Sequence, residues 1–141
     1  MSETSSIKLT GILETCIYVD DLAAAERFYS NLPGLEFVSK EEGRHLFYRC
    51  NQNMLLLFNP EHTANEQTDI NGDPIPLHGT VGGGHIAFSV NGEQIDQWKD
   101  FLAANQIEIE SEVTWPQGSV SLYFRDPAGN SLEVVSRALW D

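Results

Sequence analysis

The first half of the chain carries one helical pattern flanked by patterns typical of β-strands. Residues 13–19 alternate between an apolar face and a face that carries Glu14, which predicts a two-faced strand. The pair Asp20-Asp21 suits a helix start, apolar residues then recur at helical spacing, and Pro33-Gly34 ends the helix. Three short strands are predicted next, over Leu35–Ser39, His45–Cys50 and Met54–Phe58.

The second half repeats this order of elements. His85–Val90 predicts a strand, with His85 on the face opposite Ile86. Asn91 can cap a helix whose apolar stripe contains Trp98 and Leu102. Three more strands are predicted, over Ile107–Val113, Val120–Arg125 and Ser131–Val135. Both halves therefore have the pattern βαβββ.

The polar stretch between the two halves lacks a regular period. It is too long for a plain turn, so it is either a functional loop or a flexible connection. We expect a single domain over 1–141, with a first module at about 12–59, a linker loop at about 60–82 and a second module at about 83–136. The predicted fold class is α+β, with two paired βαβββ modules that form a cup-shaped mixed sheet and carry helices on the outer face.

Aligning the two halves places chemically reactive residues at equivalent positions. Val19 matches Val90, so Glu14 falls opposite His85. The turns before the last strands also match, so Leu56 falls opposite Glu133. Two copies of one supersecondary unit imply a pseudo-twofold arrangement.

Glu14, His85 and Glu133 are the candidate metal ligands. If the two sheets curl away from their helices, these side chains line one concave surface. Two carboxylates and an imidazole that converge would be neutralised by one divalent ion, and three protein ligands leave positions free for water and substrate. Zn, Ni, Co, Mn, Fe or Mg would suit this set, and the sequence does not choose among them.

Simpler explanations exist for each of these residues. A single histidine in a strand is more often a core residue than a ligand. Glu14 can be an exposed edge residue, and Glu133 can pair with Arg49 or Arg125. The metal hypothesis rests on the repeat, which makes Glu14 and His85 equivalent.

The charge of the chain argues against several partners. The sequence has 21 acidic and eight basic residues, a formal charge of −13. Such a protein repels nucleic acids and anionic membrane surfaces. The chain has no apolar run long enough to span a membrane, and its N-terminus lacks the apolar segment of a secretory signal. We therefore expect a cytoplasmic protein whose partner is a small-molecule substrate.

Five further residues are candidates for contacts with the substrate. Arg44 and His45 lie at the start of the predicted third strand, and Arg49 lies within it. All three suit an anionic substrate, although ordinary surface positions explain them equally well. Trp115 and Tyr123 can form the wall of a pocket or part of the core. In the loop, His78 can close over the site, but solvated loop histidines are commoner, and the same holds for His62.

Three segments resemble the vicinal oxygen chelate superfamily, which includes glyoxalase I, bleomycin resistance proteins and extradiol dioxygenases. Tyr18–Phe37 is similar to the opening of such proteins, and Gly84–Val90 to the start of their second module. The third segment, Phe124–Val134, is similar to their last hairpin and is the most specific of the three. The resemblance spans essentially the whole domain.

The resemblance implies paired βαβββ modules around one metal ion and, with it, a homodimer. It places ligands on the first and last strand of each module, at Glu14, Leu56, His85 and Glu133. His85 and Glu133 match the pattern of the superfamily. Glu14 departs from it, since many members have His there, and Leu56 cannot bind a metal.

The leading hypothesis is a metal-dependent enzyme that acts on a small oxygenated substrate by bidentate chelation, with a glyoxalase I-like lyase or isomerase favoured. Glu133 or Glu14 would also be catalytic, by moving a proton. One alternative is an extradiol-type dioxygenase with Fe(II). The other is a metal-free protein that binds a small molecule such as a drug.

Overall fold

The computed structural model describes residue 8 and residues 10–80 and 83–141. Its strands and helices follow the predicted order. The strands are β1 (Glu14–Tyr18), β2 (Leu35–Glu41), β3 (His45–Cys50), β4 (Asn53–Phe58), β5 (Thr68–Ile70), β6 (Asp73–Ile75), β7 (His85–Val90), β8 (Ser111–Thr114), β9 (Val120–Arg125) and β10 (Ser131–Ser136). The helices are α1 (Leu22–Tyr29), α2 (Pro60–Thr63) and α3 (Ile95–Ala104), with short 3₁₀ turns at Gly92–Gln94 and Arg137–Trp140.

Two four-stranded mixed sheets have the same topology. The first sheet has the strand order β1-β4-β3-β2, and the second has the order β7-β10-β9-β8. In each sheet the first and last strands of the βαβββ unit pair in parallel, and the other neighbours pair antiparallel. The predicted α+β class with two βαβββ units is confirmed.

The sequence repeat is also a repeat in strand register. Glu14 pairs with Met54 across β1 and β4, and His85 pairs with Ser131 across β7 and β10. Leu56 and Glu133 each lie two residues beyond those partners, so they share a face with them. The alignment of Glu14 with His85 and of Leu56 with Glu133 is therefore a structural equivalence.

The helices cover one face of each sheet. Asp21 caps α1 by accepting a hydrogen bond from the Ala24 amide at 3.0 Å, as its position predicts. Alternate residues of both sheets pack in one apolar core with Tyr29 of α1 and Leu102 of α3. Because side chains alternate along a strand, the other parity forms a second face on each sheet, directed away from this core. We call these two surfaces the outer faces; they lie opposite the helices, unlike the helix-bearing side that is called outer in the predicted cup. Glu14 lies on the first and His85 on the second.

Two parts of the secondary structure differ from the prediction. The strand predicted to begin at Ile107 begins at Ser111, because the Ile107 amide instead donates to the Leu102 carbonyl and completes the end of α3. The predicted linker contains α2 and the hairpin of β5 and β6. Their signals are present: Pro60 stands at a helix start, and Asn71-Gly72 has the two positive φ angles of a tight hairpin turn. No helix in the described part of the chain is long and apolar enough to cross a membrane.

A buried polar network joins the two halves of the chain. The Tyr29 hydroxyl donates to Asp126 at 2.7 Å, and the Asn130 side-chain amide donates to Asp126 and to the Tyr18 carbonyl. The Asn130 side-chain oxygen accepts a hydrogen bond from the Gly84 amide at 2.6 Å. Burial, and then the charge of Asp126, raise the pKa of Tyr29 far above its usual range, so its hydroxyl remains a donor.

Replacement of Tyr29 by Phe is expected to lower the free energy of unfolding by about 1.5–3 kcal/mol, because the buried Asp126 carboxylate loses a donor. Urea unfolding followed by circular dichroism measures this loss. The matched control is Tyr48→Phe, whose hydroxyl makes a 2.8 Å hydrogen bond to the neutral Ser30 side chain. It should lose only about 0.5–1.5 kcal/mol, and equal losses in the two variants would contradict the role given to Asp126.

Candidate functional site

The second outer face presents an imidazole and a carboxylate side by side. His85 Nε2 lies 3.3 Å from Glu133 Oε1. The His85 side chain is 51% exposed, whereas that of Glu133 is 7% exposed. The histidine is therefore not a core residue, and the pair is open to solvent on the imidazole side.

A backbone contact orients the His85 ring. Its Nδ1 lies 3.0 Å from the carbonyl oxygen of Ser131, the cross-strand neighbour of His85. A carbonyl oxygen only accepts, so Nδ1 carries the proton and donates it. In a neutral imidazole this leaves the lone pair on Nε2, which is directed at Glu133, and such a contact is the usual means of orienting a metal-binding histidine.

A hydroxyl and an indole hold Glu133. The Ser121 hydroxyl donates to Glu133 Oε2 at 2.5 Å, and Trp115 Nε1 donates to the Ser121 oxygen at 2.8 Å. Since the indole can only donate, the serine proton is directed to the carboxylate. Glu133 Oε1 stays available on the side of His85. Trp115, a candidate for the pocket wall or the core, supports the carboxylate through Ser121.

Tyr123 forms one side of the pair. It is the cross-strand neighbour of Glu133, and its ring stacks on that of His85 with the centroids 6.2 Å apart. Burial and the charge of Glu133 raise the pKa of Tyr123, so the phenol is neutral at physiological pH. Its position suits contact with a group bound beside His85 and Glu133.

The distance between His85 Nε2 and Glu133 Oε1 suits two atoms that bind one metal ion. Two ligand atoms at ~2.0–2.2 Å from one metal lie about 2.8–3.6 Å apart, and the observed 3.3 Å is in that range. Both facing atoms are acceptors when the imidazole is neutral, so a cation between them removes an unfavourable contact. Glu133 does not pair with Arg49 or Arg125, the simpler partners suggested by the sequence. Arg125 pairs with Glu110 at 2.7 Å, and Arg49 lies 4.0 Å from Glu36.

The structure does not bring Glu14 to this pair within one chain. Among the described residues no three His, Cys, Asp or Glu side chains are grouped as a metal site. Glu14 lies exposed on β1, at the edge of the first sheet, and no hydrogen bond or ion pair engages its carboxylate in the described ranges. Arg49 shares its end of the outer face, because both residues lie beside Met54.

The remaining candidates lie at the other end of the first outer face, around Phe58. Arg44 Cζ lies 5.3 Å from the centre of the Phe58 ring, and the centre of the His45 ring lies 5.9 Å from it. The His78 ring is closer, with its centre 4.8 Å from that of Phe58, so the loop that carries His78 folds over the first sheet. Burial and the Arg44 guanidinium lower the pKa of His45.

The groups that orient Glu133 and His85 were not predicted from the sequence. Ser121 is fully buried on β9, and its place between two apolar residues is the only sign in the sequence that it has a polar partner. The Ser131 carbonyl has no sequence signal at all. Both orient the pair of His85 and Glu133, and neither would be found from metal-ligand spacing.

Comparison with known proteins supports the resemblance. The Metallothiol transferase FosB of Staphylococcus epidermidis is 29% identical over 137 residues, which cover 96% of this chain and 87% of that protein. A crystal structure of Lactoylglutathione lyase from Agrobacterium tumefaciens is 44% identical, covers 94% of this chain and 98% of its own, and superposes with a TM-score of 0.85. The fosfomycin resistance protein FosX of Listeria monocytogenes, solved with Mn(II) and a dihydroxypropylphosphonic acid, has the same fold at 19% identity, with a TM-score of 0.65 over 90% of each chain.

The family assignment covers nearly the whole sequence. Residues 11–134 match the family model of glyoxalases, bleomycin resistance proteins and dioxygenases, a range that contains β1 through most of β10. The chain belongs to the Glyoxalase/Bleomycin resistance protein/Dioxygenase superfamily.

Proposed function

We propose that this protein is a divalent-metal-dependent enzyme whose ion is held by His85 and Glu133 together with Glu14 of a second copy. The observation that carries the proposal is the pair itself. His85 Nε2 and Glu133 Oε1 lie 3.3 Å apart, and each residue is oriented by a hydrogen bond on its far side. The bound ion would act as a Lewis acid that polarises the oxygens of a chelating substrate.

The edges of the sheets support a homodimer that completes the site. β1, with Glu14, and β7, with His85, are both edge strands in the described structure. Exposed edges favour pairing with another chain. Ile12 and Leu13, directly before Glu14, are 78% and 73% exposed. A twofold dimer that sets β1 of one copy beside β7 of the other would cover these groups. It would place Glu14 of each copy beside the His85–Glu133 pair of the other.

The two carboxylates would have different roles. Glu133 is buried and fixed by Ser121, so it suits a permanent ligand. Glu14 is exposed and its carboxylate has no partner within the described residues, so it is free to move and to transfer a proton. Similarity to a lactoylglutathione lyase at 44% identity favours a lyase or isomerase that acts on an adduct of a thiol and a 2-oxoaldehyde.

The first prediction concerns the metal. Glu133→Ala should retain less than about a tenth of an equivalent of Zn, Ni, Co or Mn under conditions in which the unaltered protein binds about one, because one of the ligands is removed. Elemental analysis after dialysis against each metal measures this. Glu112→Ala is the control, since Glu112 pairs with Lys99 of α3. Full occupancy in Glu133→Ala would exclude the assignment.

The second prediction concerns the dimer. Glu14→Gln and His85→Ala should each be inactive alone, and co-expression should restore about a quarter of the activity. Half of a random mixture is heterodimers, and each of these has one intact site out of two. Conversion of the methylglyoxal–glutathione adduct, followed by absorbance, is the measurement.

The result separates the two ways of building the site. If Glu14, His85 and Glu133 met within one chain, every site in the mixture would lack one of them and no activity would return. If instead neither unaltered protein nor mixture converts the adduct, while catechol addition consumes oxygen in the presence of Fe(II), the lyase assignment is wrong and the oxygenase is right.

The third prediction separates catalysis from metal binding. Glu14→Gln should keep the ion, because an amide oxygen remains a ligand, but should lower kcat about 10²–10⁴-fold through loss of a proton acceptor. Elemental analysis and steady-state kinetics on the same preparation measure both. A kcat within tenfold of that of the unaltered protein would show that Glu14 does not carry the proton.

A further inference from the structure

Ser121 is a polar residue that accompanies Glu133 in the second sheet. It pairs with the residue two positions beyond Glu133 across β9 and β10, and it is fully buried. In the first sheet, the residue that pairs two positions beyond Leu56 is His45, which takes part in a hydrogen bond with Arg44. The buried hydroxyl is therefore present in the sheet that carries the carboxylate and absent at the equivalent position of the other sheet.

The Ser121 hydroxyl is engaged both as an acceptor and as a donor. It accepts a hydrogen bond from Trp115 Nε1 at 2.8 Å and donates one to Glu133 Oε2 at 2.5 Å. An indole N–H can only donate, so the hydroxyl proton is left for the carboxylate. A hydrogen bond to an ionised carboxylate is stronger than one between neutral groups. Oε2 is thus held on the side of Ser121.

A turn between β8 and β9 fixes Trp115. The Trp115 amide donates to the Ser119 carbonyl at 2.8 Å, and the Trp115 carbonyl accepts from the Gly118 amide at 2.8 Å. Gly118 has a φ of 103°, a conformation that residues with a Cβ rarely adopt, so the turn depends on this glycine. The backbone of the turn therefore positions the indole, and the indole orients the Ser121 hydroxyl.

One oxygen of Glu133 faces the imidazole, and the other is occupied. His85 Nε2 lies 3.3 Å from Oε1, whereas Oε2 is the atom that accepts from Ser121. The Glu133 side chain is only 7% exposed, which leaves it little room to turn both oxygens towards an ion. A carboxylate that chelated through both oxygens would have to give up Ser121 and leave a buried hydroxyl proton without an acceptor, which is costly.

We propose that Ser121, held by Trp115, is a positioning residue that limits Glu133 to one coordinating oxygen and thereby selects among divalent ions. This rests on the proposed function, in that His85 and Glu133 hold an ion. Zn(II) prefers few ligands and is satisfied by one oxygen of a carboxylate, whereas ions with more oxygen ligands, such as Ca(II), also take both. Mn(II) shares with Ca(II) the preference for oxygen ligands. The hydrogen bond therefore raises the affinity for Zn(II) relative to that for Mn(II).

Crystal structures of the unaltered protein soaked with Zn(II) and with Mn(II) test the coordination directly. Glu133 Oε1 should lie ~2.0–2.2 Å from Zn(II), and Oε2 should remain hydrogen-bonded to Ser121. The distance from Oε2 to either ion should exceed ~2.6 Å, the upper end of the range of metal–oxygen bonds. Both Glu133 oxygens within that distance of either ion would overturn the proposal.

Removal of the hydroxyl tests the selection among ions. Ser121→Ala should lower the affinity for Zn(II) about 10–100-fold, which is the usual effect of losing a group that orients a ligand. The freed Oε2 then becomes available to Mn(II), so the ratio of the Zn(II) affinity to the Mn(II) affinity should fall about tenfold. Competition titrations against a metal-binding dye measure both affinities. If both fall equally and the ratio is unchanged, Ser121 supports only the fold.

Further variants separate the selection from damage to the fold. Ser121→Thr keeps the hydroxyl and should keep the ratio of the unaltered protein. Ser119→Ala removes a nearby hydroxyl that bonds to the Gln117 side chain at 3.1 Å, and it should also keep the ratio. If a thermal melt shows that Ser121→Ala does not fold, Trp115→Phe takes its place and should lower the ratio about threefold, because the hydroxyl loses its fixed orientation. A ratio in Ser121→Thr as low as in Ser121→Ala, or an unchanged ratio in Trp115→Phe, contradicts the proposal.

The titrations also separate this proposal from the proposed function. If the unaltered protein binds neither ion, both proposals fail, because each assumes that His85 and Glu133 hold one. If it binds an ion but Ser121→Ala keeps the ratio, the selection is wrong and the metal site stands. If the ratio falls as expected but the protein with either ion does not convert the methylglyoxal–glutathione adduct, the selection stands and the lyase assignment is wrong.

Discussion

The contact that the rest of the site depends on is the one between Asp126 and Asn130, buried at the turn between β9 and β10. Asp126 accepts from Tyr29 of α1, and Asn130 accepts from the Gly84 amide and donates to the Tyr18 carbonyl. Gly84 precedes His85, and Asn130 stands three residues before Glu133. A Cβ at Gly84 would lie 3.3 Å from the Asn130 side-chain oxygen, a tight contact that would push the Asn130 amide by a few tenths of an ångström. Losing the network would destabilise the starts of β7 and β10 together, because unsatisfied polar groups in a core are costly.

Much of the fold was predictable because it is repeated. A βαβββ pattern read twice fixes strand order, and the period of two along a strand fixes which residues share a face. That logic placed His85 and Glu133 together correctly, since both lie in one sheet. It could not place Glu14, whose relation to them depends on how two sheets, or two chains, meet. Local patterns carry no information about that contact, and the described chain leaves Glu14 apart from the pair.

The supporting groups were not predictable, for a related reason. Ser121 and the Ser131 carbonyl act through hydrogen bonds whose partners lie across the sheet, and neither has a distinctive residue type at a distinctive spacing. His78 was the harder case, because it comes from a stretch without periodicity. It reaches Tyr18, 60 positions away in sequence, only after α2 has anchored the loop. Side chains positioned by tertiary contacts are those that pattern reasoning finds last.

The two sheets differ at both equivalent pairs of site positions, and at one of them the proposed metal site relates the difference to charge. Glu133 in the second sheet corresponds to the buried Leu56 in the first. In the proposed ligand set Glu14 and Glu133 would already neutralise a divalent ion, and a third carboxylate at Leu56 would leave a net negative charge in a protein that is strongly acidic. Leu56 instead continues an apolar surface to Phe58, whose ring centre lies 5.3 Å from Arg44 Cζ. Under the proposed function the second sheet supplies two of the three ligands and the first sheet of the partner copy supplies Glu14, so no acid is needed at position 56.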